Sequence, residues 1–332
     1  MDKILVTGSA GFLGSTFTLE ALRKGYSVIG VDNYINSSSN STSMLSSESK
    51  NFSFEQVDLR NFNDLNELLS RTQPEYIVHF AGSKSLSDSF LDPVFYWENN
   101  VSSSINLLKS MKENGIKNII FSSSATVYGE NELQPVCEDF DLSPQSPYAN
   151  TKFVVEKLIE DSSDHINYMI LRYFNPIGAH KEGLFFDYPS KTANNIMPRL
   201  IRVARGIEDH IKVFGDDYET SDGTGERDYI HVSDLIESHI LSLEHLKNTR
   251  PSHILNIGTG KKYSVLDLIK TFSKVVGIKI NYKIVGRREG DIPVSYADSS
   301  KSFDVLNFKP KKDLADMCID SWKAVKNIDI SE

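Results

Sequence analysis

Tyr148 and Lys152 stand four residues apart in Ser146-Pro147-Tyr148-Ala149-Asn150-Thr151-Lys152. On a helix that spacing puts the phenol and the ammonium on one face. A lysine about 4 Å from a tyrosine favours the phenolate by roughly 4 kcal/mol at an effective dielectric near 20. That is about three pKa units, and it brings a group near 10 towards neutrality. A tyrosinate so made can take a proton from a hydroxyl while hydride leaves the carbon that bears it. The spacing acquires meaning from a second feature, the loop Thr7-Gly8-Ser9-Ala10-Gly11-Phe12-Leu13-Gly14 near the start of the chain.

Gly8, Gly11 and Gly14 follow an apolar run, Ile4-Leu5-Val6, and precede a helical stretch. Glycines there let backbone N–H groups of Phe12 and Leu13 approach a pyrophosphate, with the helix N-terminus supplying positive potential. The spacing is G-x-x-G-x-x-G, a variant of the dinucleotide fingerprint. Asp32 ends the next apolar run, where a carboxylate accepts hydrogen bonds from a ribose diol and repels a 2′-phosphate. NAD is therefore expected over NADP. Asp58-Leu59 closes the third run and could meet the adenine edge.

These residues need a frame. Strands are predicted over 4–6, 27–31, 52–57, 76–80, 118–121 and 168–171. Helices are predicted over 13–24, 101–111 and 147–161, with a leucine stripe at 65, 68 and 69. Alternation at this spacing indicates an α/β fold with a doubly wound parallel sheet of Rossmann type. After about Asn175 the rhythm loosens. Helices near 195–205, 232–246 and 265–276 and strands near 211–214 and 280–284 suggest a smaller α/β substrate domain at the sheet's carboxyl edge. The expected division is 1–175 for the nucleotide and mainly 176–332 for the substrate, some segments returning to the first domain. The Ser/Asn-rich stretch 36–49 reads as a surface loop.

Bulk properties narrow the class. The 332 residues carry a net charge of −9, 39% hydrophobic and 24% charged residues. An acidic chain of this kind is not expected to bind nucleic acid, and no apolar run reaches membrane-spanning length. Cys137 and Cys318 lack metal or disulfide spacing, so a reduced cytoplasmic protein without a metal is expected. His79 and His231 each end a predicted strand and read as hydrogen-bonded structural imidazoles.

Longer strings are more specific than the glycine triplet. They are Asp32-Asn33-Tyr34-Ile35-Asn36-Ser37, His79-Phe80-Ala81-Gly82, Phe121-Ser122-Ser123-Ser124-Ala125-Thr126-Val127-Tyr128-Gly129 and Ser143 to Tyr148. Further along come Leu171 to Pro176, Asp222 to Val232 and Arg287-Arg288-Glu289-Gly290-Asp291. On these strings the chain resembles the UDP-glucose (UDP-galactose) 4-epimerases of the extended short-chain dehydrogenase/reductase family, over almost its whole length.

The resemblance implies a role for each matching residue. Tyr148 matches the base, Lys152 its partner on the nicotinamide ribose, and Ser124 the hydroxyl bridging the tyrosine and the sugar. Lys84 and Asn99 match cofactor contacts, and Asn33, Asn36, Ser37, Phe80, Ala81, Gly82 and Phe174 fall along the same NAD path. Asn175 and the Asn195-Ile196-Met197 segment match the part that holds the sugar and diphosphate. Arg227 and Arg288, with Asp291, match the phosphate clamp, a role suited to the planar guanidinium. A homodimer formed through the helices near 101–111 and 147–161 is also implied.

Two features refine the expected chemistry. A related 4,6-dehydratase would place Asp-Glu after Ser124, whereas this chain has Ala125 and Thr126. A silent sensor on the same fold would be expected to have lost Tyr148, Lys152 or Ser124. The family's glucose/galactose-only members resemble one another in a bulky aromatic shortly after the Arg-Glu-Gly-Asp string, and that place is Ser295 here. Room for an N-acetyl group on carbon 2 is the expectation, with Tyr296 adjacent.

Overall fold

A computed structural model describes residues 1–131, 133–190, 193–248, 251–326, 328 and 330. In chain order, β1 (Lys3–Thr7), α1 (Phe12–Arg23), β2 (Ser27–Asp32), α2 (Ser39–Glu48) and β3 (Phe52–Gln56) open the fold. There follow α3 (Phe62–Thr72), β4 (Tyr76–His79), α4 (Leu86–Leu91), α5 (Pro93–Tyr96), a π-helical turn (Trp97–Ser102) and α6 (Ser103–Glu113). Next are β5 (Asn118–Ser124), α7 (Pro147–Glu160), β6 (Asn167–Tyr173), β7 (Asn175–Ile177), α8 (Ile196–Ala204) and β8 (Ile211–Phe214). Then come β9 (Glu226–Arg227), β10 (Tyr229–His231), α9 (Val232–Asn248), β11 (His253–Ile257) and β12 (Tyr263–Ser264). The chain closes with α10 (Val265–Val276), β13 (Tyr282–Val285), β14 (Val294–Ser295), α11 (Ser300–Leu306) and α12 (Leu314–Val325).

The chain divides into two compact units threaded through the sequence. The first comprises Met1–Val127, Pro144–Arg172 and Ile236–Leu255, the second Tyr128–Ser143, Tyr173–Leu235 and Asn256–Glu332.

The seven-stranded sheet runs β11-β6-β5-β4-β1-β2-β3. Parallel registers join β1 to both β2 and β4, as Leu5 to Ile29 and Leu5 to Ile77. Strand order reverses between β1 and β4, and open α/β sheets bind ligands at the carboxyl ends beside such a switch. Strands buried on both faces need continuous apolar runs, and Ile4, Leu5, Val6, Ile77 and Val78 are fully buried. Helices close the faces with apolar stripes: Leu65, Leu68 and Leu69 of α3 and Val155 and Ile159 of α7 join Leu5, Ile29 and Phe121 in one core. The Asn61 side chain starts α3 by accepting from the N–H groups of Asn63 and Asp64.

The second unit has its own core, in which Met197, Leu200 and Ile201 of α8 meet Leu268 and Phe272 of α10 and Met317 of α12. Short pairings supplement it: β10 with β7, β8 with β13, and the row β12-β9-β14. A capping box at Ser264 and Asp267 starts α10, and Gly277 ends it in the left-handed conformation.

Two expectations change. The stretch 36–49, read as a loop from its Ser and Asn content, contains α2. Those residues are poor helix formers, but Leu45 is fully buried and the Thr42 hydroxyl lies 2.8 Å from that of Tyr34. Tertiary packing overrides propensity there. The helix expected over 101–111 runs as α6 over Ser103–Glu113, and a π-helical turn, Trp97–Ser102, leads into it. That turn inserts an extra residue per turn and brings Asn99 and Asn100 inward, both buried.

Candidate active site

The catalytic pair is placed by α7. Ser146 caps this helix by accepting from the Ala149 N–H, and Pro147 occupies its first turn. Tyr148, Lys152, Val155, Glu156 and Ile159 then share the buried face. Lys152 Nζ donates to the Ser122 carbonyl at 2.8 Å and lies 4.8 Å from the Phe121 ring centroid. Ser124 ends β5, and its hydroxyl accepts from Thr126 N and Thr126 Oγ1 at 3.2 and 2.9 Å. It also works to lower the pKa of the neighbouring Tyr148 phenol.

The electrostatics correct the spacing argument. Lys152 Nζ is 6.0 Å from the Tyr148 ring centroid, and burial pushes the phenol up to about 12, against a smaller lowering by Ser124. Burial likewise lowers the Lys152 ammonium to about 8, while Glu156 works to raise it. Desolvation outweighs the opposing contributions at both groups because both side chains are buried. A further positive charge at the phenol is needed to make the tyrosinate near neutral pH.

One turn beyond Lys152, Glu156 anchors the helix to two strands. Arg172 of β6 grips its carboxylate, with Nε 3.1 Å from each oxygen and one terminal nitrogen at 2.7 Å, and Ser123 of β5 donates to it as well. The side chains of Arg172 and Glu156 are only 4% and 1% exposed. Ser123 is the neighbour of Ser124, so this cluster fixes the hydroxyl and the Tyr/Lys helix together.

At the carboxyl end of β1, Gly8 has φ +70°, and a Cβ there would meet Ala81 N at 2.7 Å. A Cβ on Gly14 would lie 2.1 Å from Gly8 O. Gly11 stands at the N-cap of α1, which has no side-chain cap and no acidic residue in its first turn. The amides of Phe12 and Leu13 therefore lie at a positive helix end with no carboxylate supplied by that turn, a fit for a diphosphate.

Asp32 Oδ2 accepts from Ala10 N at 3.1 Å, and Oδ1 from Tyr34 N and Ser37 Oγ at 2.8 and 2.9 Å. Asn33 donates to Asp58 Oδ2 at 3.1 Å. Arg60 also grips Asp58 and holds its carboxyl down at about 2, where it stays ionised. The Leu59 side chain belongs to the core.

A buried amide network lines the next loop. Ser83 N donates to Asn100 Oδ1 at 2.8 Å, Asn99 Nδ2 to Ser83 Oγ at 3.1 Å, and Asn100 Nδ2 to Thr151 Oγ1 at 3.1 Å. Asn36 reaches Ser83 Oγ at 3.4 Å. Gly82 has φ +152°, and a Cβ there would press on Asn100. Ala81 N donates to Thr7 Oγ1 at 3.3 Å, and Phe80 stacks on His239 at 4.8 Å. Lys84 is exposed after this loop. Ser83, Asn100 and Thr151 were not singled out in sequence; the Asn99-Asn100 doublet was the available signal.

His79 lies between Thr7 Oγ1 at 2.7 Å and Ser104 Oγ at 2.9 Å, and burial lowers it to about 3. It is a neutral structural imidazole. His231 accepts from Ser233 N at 3.0 Å, and its Nε2 lies 3.2 Å from Asp320 Oδ2.

In the second unit, Arg227 and Arg288 converge on Asp291. Arg288 donates to its two oxygens at 3.2 and 2.8 Å, and an Arg227 nitrogen stands 3.8 Å away. The Arg288 guanidinium lies 5.3 Å from the ring centroid of Phe214, an exposed aromatic absent from the sequence-based site. Ser295 is paired in register with Arg227, so the two side chains share a face and Tyr296 points to the other. Asn175 is exposed on β7, and its N–H donates to the Asp228 carbonyl at 3.0 Å. Phe174 is buried and its N–H reaches Ile257 O at 3.3 Å. Asn195 donates to Asp187 at 2.6 Å, and Asn195 and Met197 line a pocket with Pro176, Gly178, Phe186 and Ser321. Ile196, beside them, packs against the core.

Among the described residues, no group of three or more His, Cys, Asp and Glu could hold a metal ion, and no helix is long and apolar enough to cross a membrane.

Comparison with known proteins agrees with this geometry. Residues 4–258 match the NAD dependent epimerase/dehydratase family. A UDP-glucose 4-epimerase of Bacillus subtilis is 40% identical over 324 residues, covering 96% of each chain. Among solved structures, a UDP-glucose-4-epimerase from Stenotrophomonas maltophila, with bound NAD and formylated UDP-arabinopyranose, superposes with a TM-score of 0.94. It is 40% identical and covers 98% of both chains. A UDP-Glc/GlcNAc 4-epimerase from Campylobacter jejuni gives 0.85 at 32% identity, covering 99% of this chain and 100% of that one. The chain thus belongs to the NAD dependent epimerase/dehydratase family, and within it to the UDP-glucose 4-epimerases.

Proposed function

We propose that the protein is an NAD-dependent UDP-hexose 4-epimerase. It interconverts UDP-glucose and UDP-galactose and also acts on UDP-N-acetylglucosamine and UDP-N-acetylgalactosamine. The observation that carries the reading is the placement of Tyr148 and Lys152 together on the buried face of α7, where Lys152 donates to the Ser122 carbonyl near the end of β5 and two residues from Ser124.

NAD, when bound, would supply a hydride acceptor that becomes the donor of the return step, together with a positive ring charge that favours the tyrosinate. The Gly8–Gly14 loop would take its diphosphate, Asp32 a ribose diol, and Lys84 and Asn99 further polar groups. Asp32 also disfavours a 2′-phosphate by charge repulsion.

Tyr148 removes the proton from the sugar's carbon 4 hydroxyl, with Ser124 bridging the two oxygens. The same phenol returns the proton after the flat 4-keto sugar has turned over. Arg227 and Arg288 hold the diphosphate through paired, charge-assisted hydrogen bonds, exchanging contacts now made with Asp291. Phe214, exposed beside Arg288, offers a flat face for the base, and Asn175 and the Asn195–Ile196 segment hold the rest of the nucleotide sugar. Strong binding of the UDP half keeps the keto intermediate from escaping. Thr126 is committed to Ser124 and Ala125 has no proton to give, so the acid pair of a dehydratase is not present at those two positions.

Acceptance of N-acetylated sugars rests on Ser295, whose small side chain shares the face of Arg227. Ser295→Tyr is expected to leave UDP-galactose turnover within about threefold and to reduce UDP-N-acetylgalactosamine turnover by about 10- to 100-fold, on the order of the 1–3 kcal/mol that a steric mismatch costs. Assay of both sugars with the purified wild-type protein tests the broader claim. Activity confined to UDP-galactose would refute it.

A second copy of the chain is the partner proposed for the exposed apolar residues Leu91, Val94, Trp97 and Ile105 along α4 to α6. Light scattering should give twice the chain mass; the mass of one chain would exclude the dimer. The cytoplasm is the proposed location, consistent with the free thiols of Cys137 and Cys318.

A further inference from the structure

Asp228 is fully buried, yet the chemistry above has no use for it. It is the single residue between β9 and β10, and so joins the β12-β9-β14 row to the β10-β7 pair. Its carboxylate collects neutral donors from two other segments. Thr259 N donates at 2.9 and 3.0 Å to the two oxygens, Thr259 Oγ1 at 2.6 Å, Gly260 N at 2.9 Å and Ala297 N at 3.3 Å.

The backbone of the same residue reaches the substrate candidates. Asp228 N donates to Ser295 O at 2.9 Å, and Asp228 O accepts from Asn175 N at 3.0 Å. Arg227 precedes it directly in the chain. Space has been cleared for the carboxylate, since a Cβ on Gly258 would fall 2.5 Å from Asp228 Oδ2 and 2.6 Å from Ala297 Cβ. Burial works against ionisation, and the converging donors oppose it.

We propose that Asp228 is a positioning residue for substrate selection, its carboxylate and backbone together fixing Asn175, Arg227 and Ser295 relative to one another and so setting which carbon 2 substituent is admitted. This rests on the epimerase reading. The physical basis is geometric. An ionised carboxylate accepts from every donor in the cage, whereas an amide in its place must turn an N–H₂ towards N–H groups. The Ala297 N–H then loses its acceptor while the backbone bonds of β14 to β9 remain, so the 295–297 segment is loosened at one end and Ser295 shifts against Arg227.

The test compares wild type, Asp228→Asn and Thr259→Val in four measurements. These are kcat and KM for UDP-galactose and for UDP-N-acetylgalactosamine, bound NAD, and UDP binding by calorimetry. Asp228→Asn is expected to raise both KM values and weaken UDP binding by about tenfold, the size of one or two lost hydrogen bonds. The ratio of kcat/KM between the two sugars should change by at least about fivefold, with NAD content and kcat for UDP-galactose within about threefold of wild type.

Thr259→Val, which removes only the hydroxyl donor, should move the same quantities in the same direction by about threefold. A purely structural role would lower the folded fraction without changing KM or the sugar ratio. Unchanged KM, UDP affinity and sugar ratio in folded Asp228→Asn would overturn the proposal. If that variant does not fold, unchanged values in Thr259→Val would do so. A wild type without turnover on either sugar would contradict the epimerase reading instead, and the UDP affinities would still decide the positioning role.

Discussion

Tyr148→Phe lowers turnover of UDP-galactose by roughly 10²- to 10⁴-fold, the usual share of a general base, while bound NAD and the KM for the sugar nucleotide change little. The reasoning starts from the raised phenol. At about 12, only about one molecule in 10⁵ carries a tyrosinate at neutral pH. Activity then requires a positive charge beyond the Lys152 ammonium, whose presence already enters this value, and the nicotinamide ring of bound NAD would supply it. Each added positive charge favours the phenolate and moves the rising limb of the pH–rate profile to lower pH. Lys152→Met removes one of them, so that limb should move to higher pH, with kcat recovering part of its loss under alkaline conditions. Steady-state kinetics of the two variants across pH check both statements. Tyr148→Phe with wild-type turnover would remove the phenol from the base role.

The largest effect on stability is expected from Glu156→Gln. Arg172 and Glu156 form a buried, doubly hydrogen-bonded pair. Removing one partner of such a pair costs about 3–5 kcal/mol because the other charge is left buried without compensation. Against a total of roughly 5–15 kcal/mol for a typical protein, the apparent Tm should fall by roughly 10 °C. Glu156→Leu combined with Arg172→Met, which removes both charges, should recover most of that loss. The single variant has a second expected consequence. Glu156 supports protonation of Lys152, so its loss lowers the ammonium further below its ordinary value and weakens its support for the tyrosinate. Thermal melts of the two proteins provide the check. A single variant within about 2 °C of wild type would contradict the assigned role.

Much of the frame was legible because its signals are local. Ser146-Pro147 is a helix start readable from sequence, so α7 and its Tyr148/Lys152 face follow directly. The glycine loop was equally legible, since Gly8 and Gly14 answer to the close approach of backbone that any dinucleotide loop needs. What escaped depends on distant partners. Leu45 turns a Ser/Asn tract into α2 only because a core waits to receive it. The π-helical turn that buries Asn99 and Asn100 has no periodic signature, and their shared partner Ser83 lies 16 and 17 residues away. The pKa of Tyr148 is out of reach of spacing for the same reason. Spacing sets which groups are near, whereas burial decides how readily each of them carries its charge. Asp228 lay inside a recognisable string, but its cage is assembled from Thr259, Gly260 and Ala297, 31 or more residues distant.

The central claim is that hydride leaves carbon 4 and returns to carbon 4 of the same sugar. Purified protein given UDP-galactose deuterated at carbon 4, in ordinary water, tests it directly by mass spectrometry and NMR of the product. The account expects UDP-glucose with the deuterium retained at carbon 4, without loss to solvent. Product in which the label has washed out into water, or has moved to another carbon of the sugar, would contradict it.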